Sequence, residues 1–576
     1  MEKFGRVVEG SVNDGIKILL EHDENIERYP IGSLIAVDGE LNKYLAIITD
    51  CGVEAHQETQ ITLMAPVLRE DLRCAVSKAL RERTVGLKLK AVLVAQASKN
   101  QSEEGGAITA DTMPNFFSPA RNLGGEEILT FFGVADEEAL WNIGIPKTPK
   151  GLMVEIPIDV NKLANLSFGI FGKSGTGKSV LGNIIASSIL LYSVKKKEPI
   201  KLLIFDMHSE YGLELKDQRG DVVGDGVGKI FAEQFLRYSP DENLVRERGL
   251  ELFAINYSHL TVEDIRMIAP VFGLSETFLS HLSDYERILR SHLENYWLWG
   301  FLLNEGDEAM LNTTAEGRSI LQVISEKASS LRDMRDKIEE DRKEKMGFPA
   351  LTSFKSQSSK LRRLLLYPFT PREEDSVDEI IKELTSRNGR NVCISLGRFE
   401  KETPLYMVMA NLIARRLRKT ILEKVSRGEQ PETRIIIFLE EAHNFLGRET
   451  YRESPFGDVA REMRKRGVII CVIDQKPGEL DPDVISMLWT NFVFNLTDPR
   501  DVDAAVSGSV KSNLFAKMIP NLPKREVFIY GEAVNFPVVI KVKEYREAER
   551  TFKEEAEKIS LEINRRISEL REGGIL

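Results

Sequence analysis

Residues 167–181 read Ser167-Phe-Gly-Ile-Phe-Gly-Lys-Ser-Gly-Thr-Gly-Lys-Ser-Val-Leu181. An apolar run enters a glycine-rich turn, and the apolar stretch VLGNIIASSILL follows. Gly172 to Ser179 fill every fixed position of G-x-x-x-x-G-K-S, the phosphate-binding loop that joins a strand to a helix. Glycines let the backbone turn its N–H groups toward phosphate oxygens. The candidate nucleotide-binding residues are therefore Gly172, Lys173, Ser174, Gly175, Thr176, Gly177, Lys178, Ser179 and Val180. Lys178 can bridge the β- and γ-phosphates. The Ser179 hydroxyl can bind Mg²⁺, and the helix N-terminus adds its positive dipole end. The ligands implied are ATP and Mg²⁺.

Such a loop needs an acidic partner strand. Arg434-Ile-Ile-Ile-Phe-Leu-Glu-Glu-Ala-His443 supplies one, an apolar run ending in Glu440 and Glu441. A buried parallel strand has this pattern, and its C-terminal edge borders the ligand crevice of an open sheet. Glu440 is the candidate metal-shell acid and Glu441 the candidate group that orients and polarises the attacking water. Two more strands end usefully. Leu202–Asp206 runs into Met-His208-Ser-Glu210-Tyr, and Val468–Asp474 ends before Gln475, a candidate contact to γ-phosphate or lytic water. His208 and His443 lack metal-ligand spacing. Arg461-Glu-Met-Arg464-Lys-Arg466-Gly is the densest basic cluster near these motifs. It reads either as a solvated helix face or as a source of an arginine finger, for which an always-charged guanidinium is suited.

Farther out, the chain divides by pattern. Residues 1–98 carry short β-type runs such as Ser33–Val37 and Tyr44–Ile48, which predict a small β-barrel or sandwich. Residues 99–160 form a linker and the entry to the motor. Residues 161–257 and 386–542 alternate strands and helices, the mark of a parallel α/β sheet. A mostly helical insertion, 258–385, separates them, and 543–576 is a charged C-terminal helix. The expected fold class is α/β: a P-loop NTPase (RecA-like) motor with an N-terminal small β-barrel and a helical insertion.

The 576 residues include 42% hydrophobic and 29% charged side chains, which excludes a disordered or fibrous chain. Four cysteines without a CxxC pair exclude a disulfide scaffold or zinc ribbon. The N-terminus lacks a signal-peptide pattern, and no apolar run approaches the ~20 residues that span a bilayer. A soluble, cytoplasmic protein without membrane association is expected. With 78 basic and 89 acidic residues the net charge is −11, which at first disfavours nucleic acid. By blocks the charge is −7 over 1–150, 0 over 151–250, −5 over 251–400 and +1 over 401–576. The acidity thus lies outside the motor blocks.

The order of barrel, GKSGTGKS, FDMHSEY, helical insert, FLEEAH, RKRG and IDQKP resembles the HerA branch of the HerA/FtsK motor ATPases. FDMHSEYG is similar to that family's Asp-x-His-Gly-Glu-Tyr element, with Ser209 in place of Gly. The resemblance implies a barrel like that of rotary ATP synthases and a homohexamer with ATP sites between subunits. It implies double-stranded DNA in a central pore and a NurA-type nuclease as partner in DNA end resection. By match to the family's Gly-Arg-Lys-x-Gly element, Arg464 is the first choice for a trans finger and Arg466 the second; Met463 stands where the family has Gly. The Arg that family members carry shortly before the P-loop is absent from 163–171. Lys511 and Lys517 are candidate pore residues. Rival readings are a HerA-like ATPase of an anti-phage defence complex with another effector, a secretion or conjugation ATPase, and an ATP-gated scaffold that activates a nuclease.

Overall fold

The computed structural model describes residues 3–21, 24–55, 85–99, 106–133, 139–217, 219–255, 260–302, 315–346, 356–357, 359–362, 376–452 and 454–572. Parts of the expected barrel, linker and helical insertion lie outside them. The chain forms two compact units. One comprises 1–197, 217–220 and 471–552; the other comprises 198–216, 221–470 and 553–576.

The first unit opens with a closed six-strand barrel. Its strands run in the order Gly15–Leu20, Lys3–Ser11, Pro119–Arg121, Leu34–Asp38, Asn42–Ala55 and Val85–Ser98. Pairing of Ile16 with Ala91 and of Leu19 with Lys88 closes the ring. Alternation along each strand sends Phe4, Ile16, Ile18, Ile35, Val37, Ala46, Ile48, Leu89 and Leu93 into one core. Register shifts at Leu45/Ala46 and Ile48/Asp50 interrupt the long strand Asn42–Ala55. Such bulges give the local bend that closure of a small barrel needs. The barrel reaches beyond position 98, because Ile108–Thr109 joins its edge and Pro119–Arg121 fills a gap in the ring. Arg121 fixes that last strand: its guanidinium bridges Asp38 and Glu127 at 2.7 Å each.

The rest of the first unit is a sheet in the order Val468–Asp474 (its residues from Cys471), Phe168–Phe171, Thr490–Val493, Glu526–Gly531, Val538–Val542 and Gly144–Pro146. The first three run parallel and the others join antiparallel. The helix Lys178–Lys196 buries Leu181 through Tyr192 without a break.

Among the described residues of the second unit, five parallel strands run in the order Glu251–Leu252, Phe235–Ser239, Asn391–Ser395, Ile200–Asp206 and Arg434–Glu440. All residues of Ile200–Asp206 and Asn391–Ser395 are buried, as parallel strands covered on both faces require. Helices Val262–Phe272, Leu282–Leu293, Ala315–Lys327 and Leu331–Met346 make up most of the described insertion. They enclose Tyr285, Ile288, Leu289, Trp297, Ile320 and Ile338. Arg415, on the helix Thr403–Ser426, grips both oxygens of Asp264 at 2.7 and 2.6 Å and ties the insertion's first helix to the core. Among the described residues, no helix is long and apolar enough to cross a membrane.

Candidate active site

The glycine-rich loop is anchored by its neighbours in the first unit. Strand Phe168–Phe171 lies between two parallel strands, with Ile170 opposite Ile473 on one side and Phe492 on the other. The loop therefore leaves the C-terminal edge of the sheet. The Gly172 N–H donates to the Asp474 carbonyl at 3.2 Å, and the Lys173 N–H to the Asn495 carbonyl at 3.1 Å. Gly175 (φ 73°) and Gly177 (φ 120°) occupy backbone regions that side chains disfavour. At Gly172 the constraint is space, since a Cβ there would stand 2.6 Å from the Cβ of Phe494.

Lys178 bends back over the loop. Its ammonium donates to the carbonyls of Gly172 at 2.7 Å and Lys173 at 3.1 Å. Gly177 stands at the N-cap and has no side chain to offer a hydrogen bond to the first turn, Lys178–Val180. A dipole end of this kind suits a phosphate. Gln475 follows the fully buried Asp474, which accepts the Lys476 N–H at 2.7 Å; Gln475 itself is half-buried at the sheet edge.

In the second unit, strands Ile200–Asp206 and Arg434–Glu440 run side by side, Leu203 opposite Ile437, and both end in buried acids. Residues 207–212 wrap these two carboxyls. Asp206 accepts the N–H groups of Glu210 and Gly212 at 2.8 Å each and the Ser395 hydroxyl at 2.7 Å. Glu440 Oε2 accepts the N–H groups of Met207 at 2.8 Å and His208 at 3.4 Å. Burial pushes both carboxyls above the usual range. The charge of Asp206, and then that of Glu210, raises Glu440 further, while the hydrogen bonds pull the other way. The Tyr406 hydroxyl donates to the Glu440 carbonyl at 2.8 Å and fixes the strand end.

This wrapping explains the FDMHSEYG pattern. A Cβ on Gly212 would collide with the Ser395 hydroxyl, so only glycine brings its N–H to Asp206. Ser209, where the resembled element has Gly, sits at φ 59°. Its hydroxyl accepts the Gly397 N–H at 3.1 Å, a bond glycine could not make, which offsets part of the strain.

Glu441 turns the chain at φ 46° and remains partly open to solvent. Its carboxylate lies 3.7 Å from His443 Nδ1. The Asn444 backbone and side chain both donate to its carbonyl at 3.0 Å. His443 thus stands beside a candidate catalytic acid.

The arginine cluster begins on a single π-helical turn, Val459–Met463, and continues as a 3₁₀ turn, Arg464–Arg466. π turns recur at functional positions in helices. Arg461 is committed locally: it pairs with Asp458 at 2.6 Å and its guanidinium lies 4.8 Å from the Tyr451 ring centre. Arg464 is exposed and Arg466 half-buried, its Nη1 4.0 Å from the Met463 sulfur. Met463 is fully buried, so the position held by Gly in the resembled element is here a core site.

The two lysines considered for a pore differ. Lys511 is half-buried, and its ammonium donates to the carbonyl of Leu93 in the barrel at 3.0 Å. That bond ties its segment to the barrel. Lys517 is exposed. Sequence reading missed the residues that brace the P-loop from the far side, Phe494, Asn495 and Arg525. The Arg525 N–H donates to the Thr176 carbonyl at 2.9 Å, and the Asn495 side chain donates to the carbonyls of Pro520 and Leu522.

Comparison with known proteins gives a consistent answer. Residues 142–417 match the family model described as the central domain of the helicase HerA. The chain is 24% identical over 406 residues to a DNA double-strand break repair helicase HerA of Pyrococcus furiosus, covering 68% of each chain. It is 23% identical over 553 residues to a DNA double-strand break repair helicase HerA of Sulfurisphaera tokodaii, covering 94% of this chain and 93% of that one. Among solved structures, VirB4 of Thermoanaerobacter pseudethanolicus aligns at 12% identity with a TM-score of 0.39, over 71% of this chain and 98% of that one.

Proposed function

Because the chain is a P-loop ATPase of the HerA type, we propose that it is a homohexameric, ATP-driven translocase or helicase on double-stranded DNA, acting with a NurA-type nuclease in DNA end resection and recombinational repair. The observation that carries this reading is the P-loop: a braced glycine turn, an uncapped helix start and the Lys178 ammonium gathered at one sheet edge. Those groups suit a nucleoside triphosphate, and ATP is the proposed substrate.

In this reading the N–H groups of 174–180 hold the β- and γ-phosphates, and Lys178 exchanges its loop carbonyls for phosphate oxygens. Glu441 accepts a proton from the attacking water, and Gln475 aligns that water or the γ-phosphate. Arg464, or Arg466 beside it, reaches a neighbouring subunit's nucleotide and stabilises charge as the γ-phosphoryl leaves. Ser179 and Glu440 are the proposed holders of Mg²⁺, which when bound would supply charge neutralisation for the phosphates. Their donor chemistry suits that hard cation: a hydroxyl on an uncapped helix start and a carboxylate already fixed by two N–H groups.

The test is ATP hydrolysis by the purified protein with and without linear duplex DNA, alongside particle images of the assembly. DNA-stimulated turnover by a six-membered ring supports the reading. A strictly monomeric protein, or turnover indifferent to DNA, would overturn it.

A further inference from the structure

The P-loop strand has two flanks, and they differ. On one stands the strand that ends at Asp474, followed by Gln475, where the reading above places the γ-phosphate. On the other stands Thr490–Val493, and next to it the antiparallel strand Glu526–Gly531, with Phe528 opposite Val493. A nucleotide whose γ-phosphate faces the first flank sends its ribose and base toward the second. The residue at that second edge is Arg525, immediately before Glu526.

Arg525 is held there by its backbone. Its N–H donates to the Thr176 carbonyl of the P-loop at 2.9 Å, and its carbonyl accepts the Val542 N–H at 2.9 Å. Its φ of 68° is strained for a residue with a side chain. The preceding segment is tied to the same loop through Asn495, whose carbonyl accepts the Lys173 N–H and whose amide donates to Pro520 and Leu522. The side-chain stem passes Gly177, with Arg525 Cγ 3.7 Å from where a Cβ on that glycine would stand. The guanidinium then rests on two partners. It donates to the Val542 carbonyl at 3.1 Å and pairs with Glu544, whose side chain is 71% exposed. An ion pair with so exposed a partner contributes little and is easily exchanged.

We infer that Arg525 is a nucleobase-contacting residue of the P-loop's own nucleotide. On binding it leaves Glu544 and lays its planar guanidinium against the base. The inference rests on the proposed nucleotide site and adds the group that reads its nucleoside end. Arginine suits this task because a delocalised planar cation stacks on aromatic faces, whereas the compact lysine ammonium does not.

The experiment uses the full-length protein and compares Arg525→Ala, Arg525→Lys and Glu544→Gln with wild type. Hydrolysis is measured against ATP concentration. Binding is measured by competition with ATP, ribose triphosphate lacking a base, and inorganic tripolyphosphate. The expected result is a KM for ATP raised about tenfold in Arg525→Ala, with kcat moved less than about threefold. Affinity for ribose triphosphate and tripolyphosphate stays at the wild-type value in that variant, which also shows that the P-loop remains folded. Arg525→Lys does not restore ATP affinity, and Glu544→Gln binds ATP at least as tightly as wild type. An unchanged ATP KM in Arg525→Ala overturns the inference. So does an equal loss of tripolyphosphate binding, which would make Arg525 a phosphate ligand. Failure of the wild-type protein to bind ATP is a different result and would defeat the nucleotide site itself.

Discussion

Glu440 and Glu441 are adjacent in sequence, yet their carboxylates have opposite surroundings. Glu440 is 4% exposed, with Oε2 held by the N–H groups of Met207 and His208. Glu441, past a backbone reversal at φ 46°, is partly open to solvent beside His443. One acid is fixed by backbone N–H groups at the place proposed to hold Mg²⁺, and the other stands partly open for proton transfer. The two roles proposed for the pair therefore call for different substitutions.

Glu441→Gln keeps the size and turn of the residue but removes its basicity. Turnover should fall by about 10²- to 10⁴-fold, the range general-base loss gives, while ATP affinity stays within about twofold. Equilibrium nucleotide binding and single-turnover hydrolysis check it. Full activity in this variant would remove Glu441 from the mechanism.

Lys178→Ala deletes the ammonium that now lies on the Gly172 and Lys173 carbonyls. A loss of hydrolysis of at least about a hundredfold is expected, about 3 kcal/mol of transition-state stabilisation. Gly172→Ala should reach a similar loss by another route, because the added methyl group meets Phe494 and displaces the loop. Steady-state ATPase rates with thermal melting separate the two: Gly172→Ala lowers Tm and Lys178→Ala does not.

Arg464→Ala tests the finger proposed to act between subunits. Alone it should be inactive. Mixed with Lys178→Ala protein, it should regain part of the activity, because some interfaces then combine an intact P-loop with an intact Arg464. Absence of rescue over a range of mixing ratios, with mixed rings confirmed by particle imaging, would exclude action in trans. Arg466→Ala run in parallel decides between the two arginines.

The barrel offers a pH test. Burial opposes charge on Glu127, but hydrogen bonds from Arg121 and the Gly124 N–H outweigh it and hold the carboxyl at about 2, against 4.5 for an ordinary glutamate. The folded state therefore binds this proton less readily than the unfolded state does. The stabilisation is complete above about pH 4.5 and is lost as pH falls from there toward 2, a contribution of up to about 3 kcal/mol. Glu127→Gln should lower stability at neutral pH and flatten the acid limb of the unfolding curve. Denaturant melts from pH 6 to pH 3 read both effects.

The parts legible in the sequence were those whose residues lie close together along the chain. The phosphate loop is one short segment whose glycines and lysine act on their own backbone, so spacing alone revealed it. Glu440 and Glu441 were legible because a buried parallel strand must be apolar until it reaches the sheet edge. FDMHSEYG stood out as a pattern, but its physical reason is tertiary: Gly212 and Glu210 turn their N–H groups onto Asp206, and Ser395 arrives from a strand some 190 positions later. Pro119–Arg121 was missed as a barrel strand because three residues carry no periodicity; its place is set by pairing with Lys3–Arg6 and Ala36–Val37. Arg525 left no signal at all, since what distinguishes it is a left-handed backbone and a bond to Thr176 made 349 positions away.

The bond from Lys511 to Leu93 has a mechanical meaning. With it, Leu514 comes within 3.7 Å of where a Cβ on Gly15 would stand, so the segment 511–514 touches two barrel strands. The barrel and the phosphate loop belong to the same compact unit, fastened at that seam. A displacement of the loop that moved this unit as one body would carry the barrel with it. Loosening the seam with Lys511→Ala and Leu514→Ala should then leave basal ATP turnover intact while uncoupling it from whatever load the barrel bears.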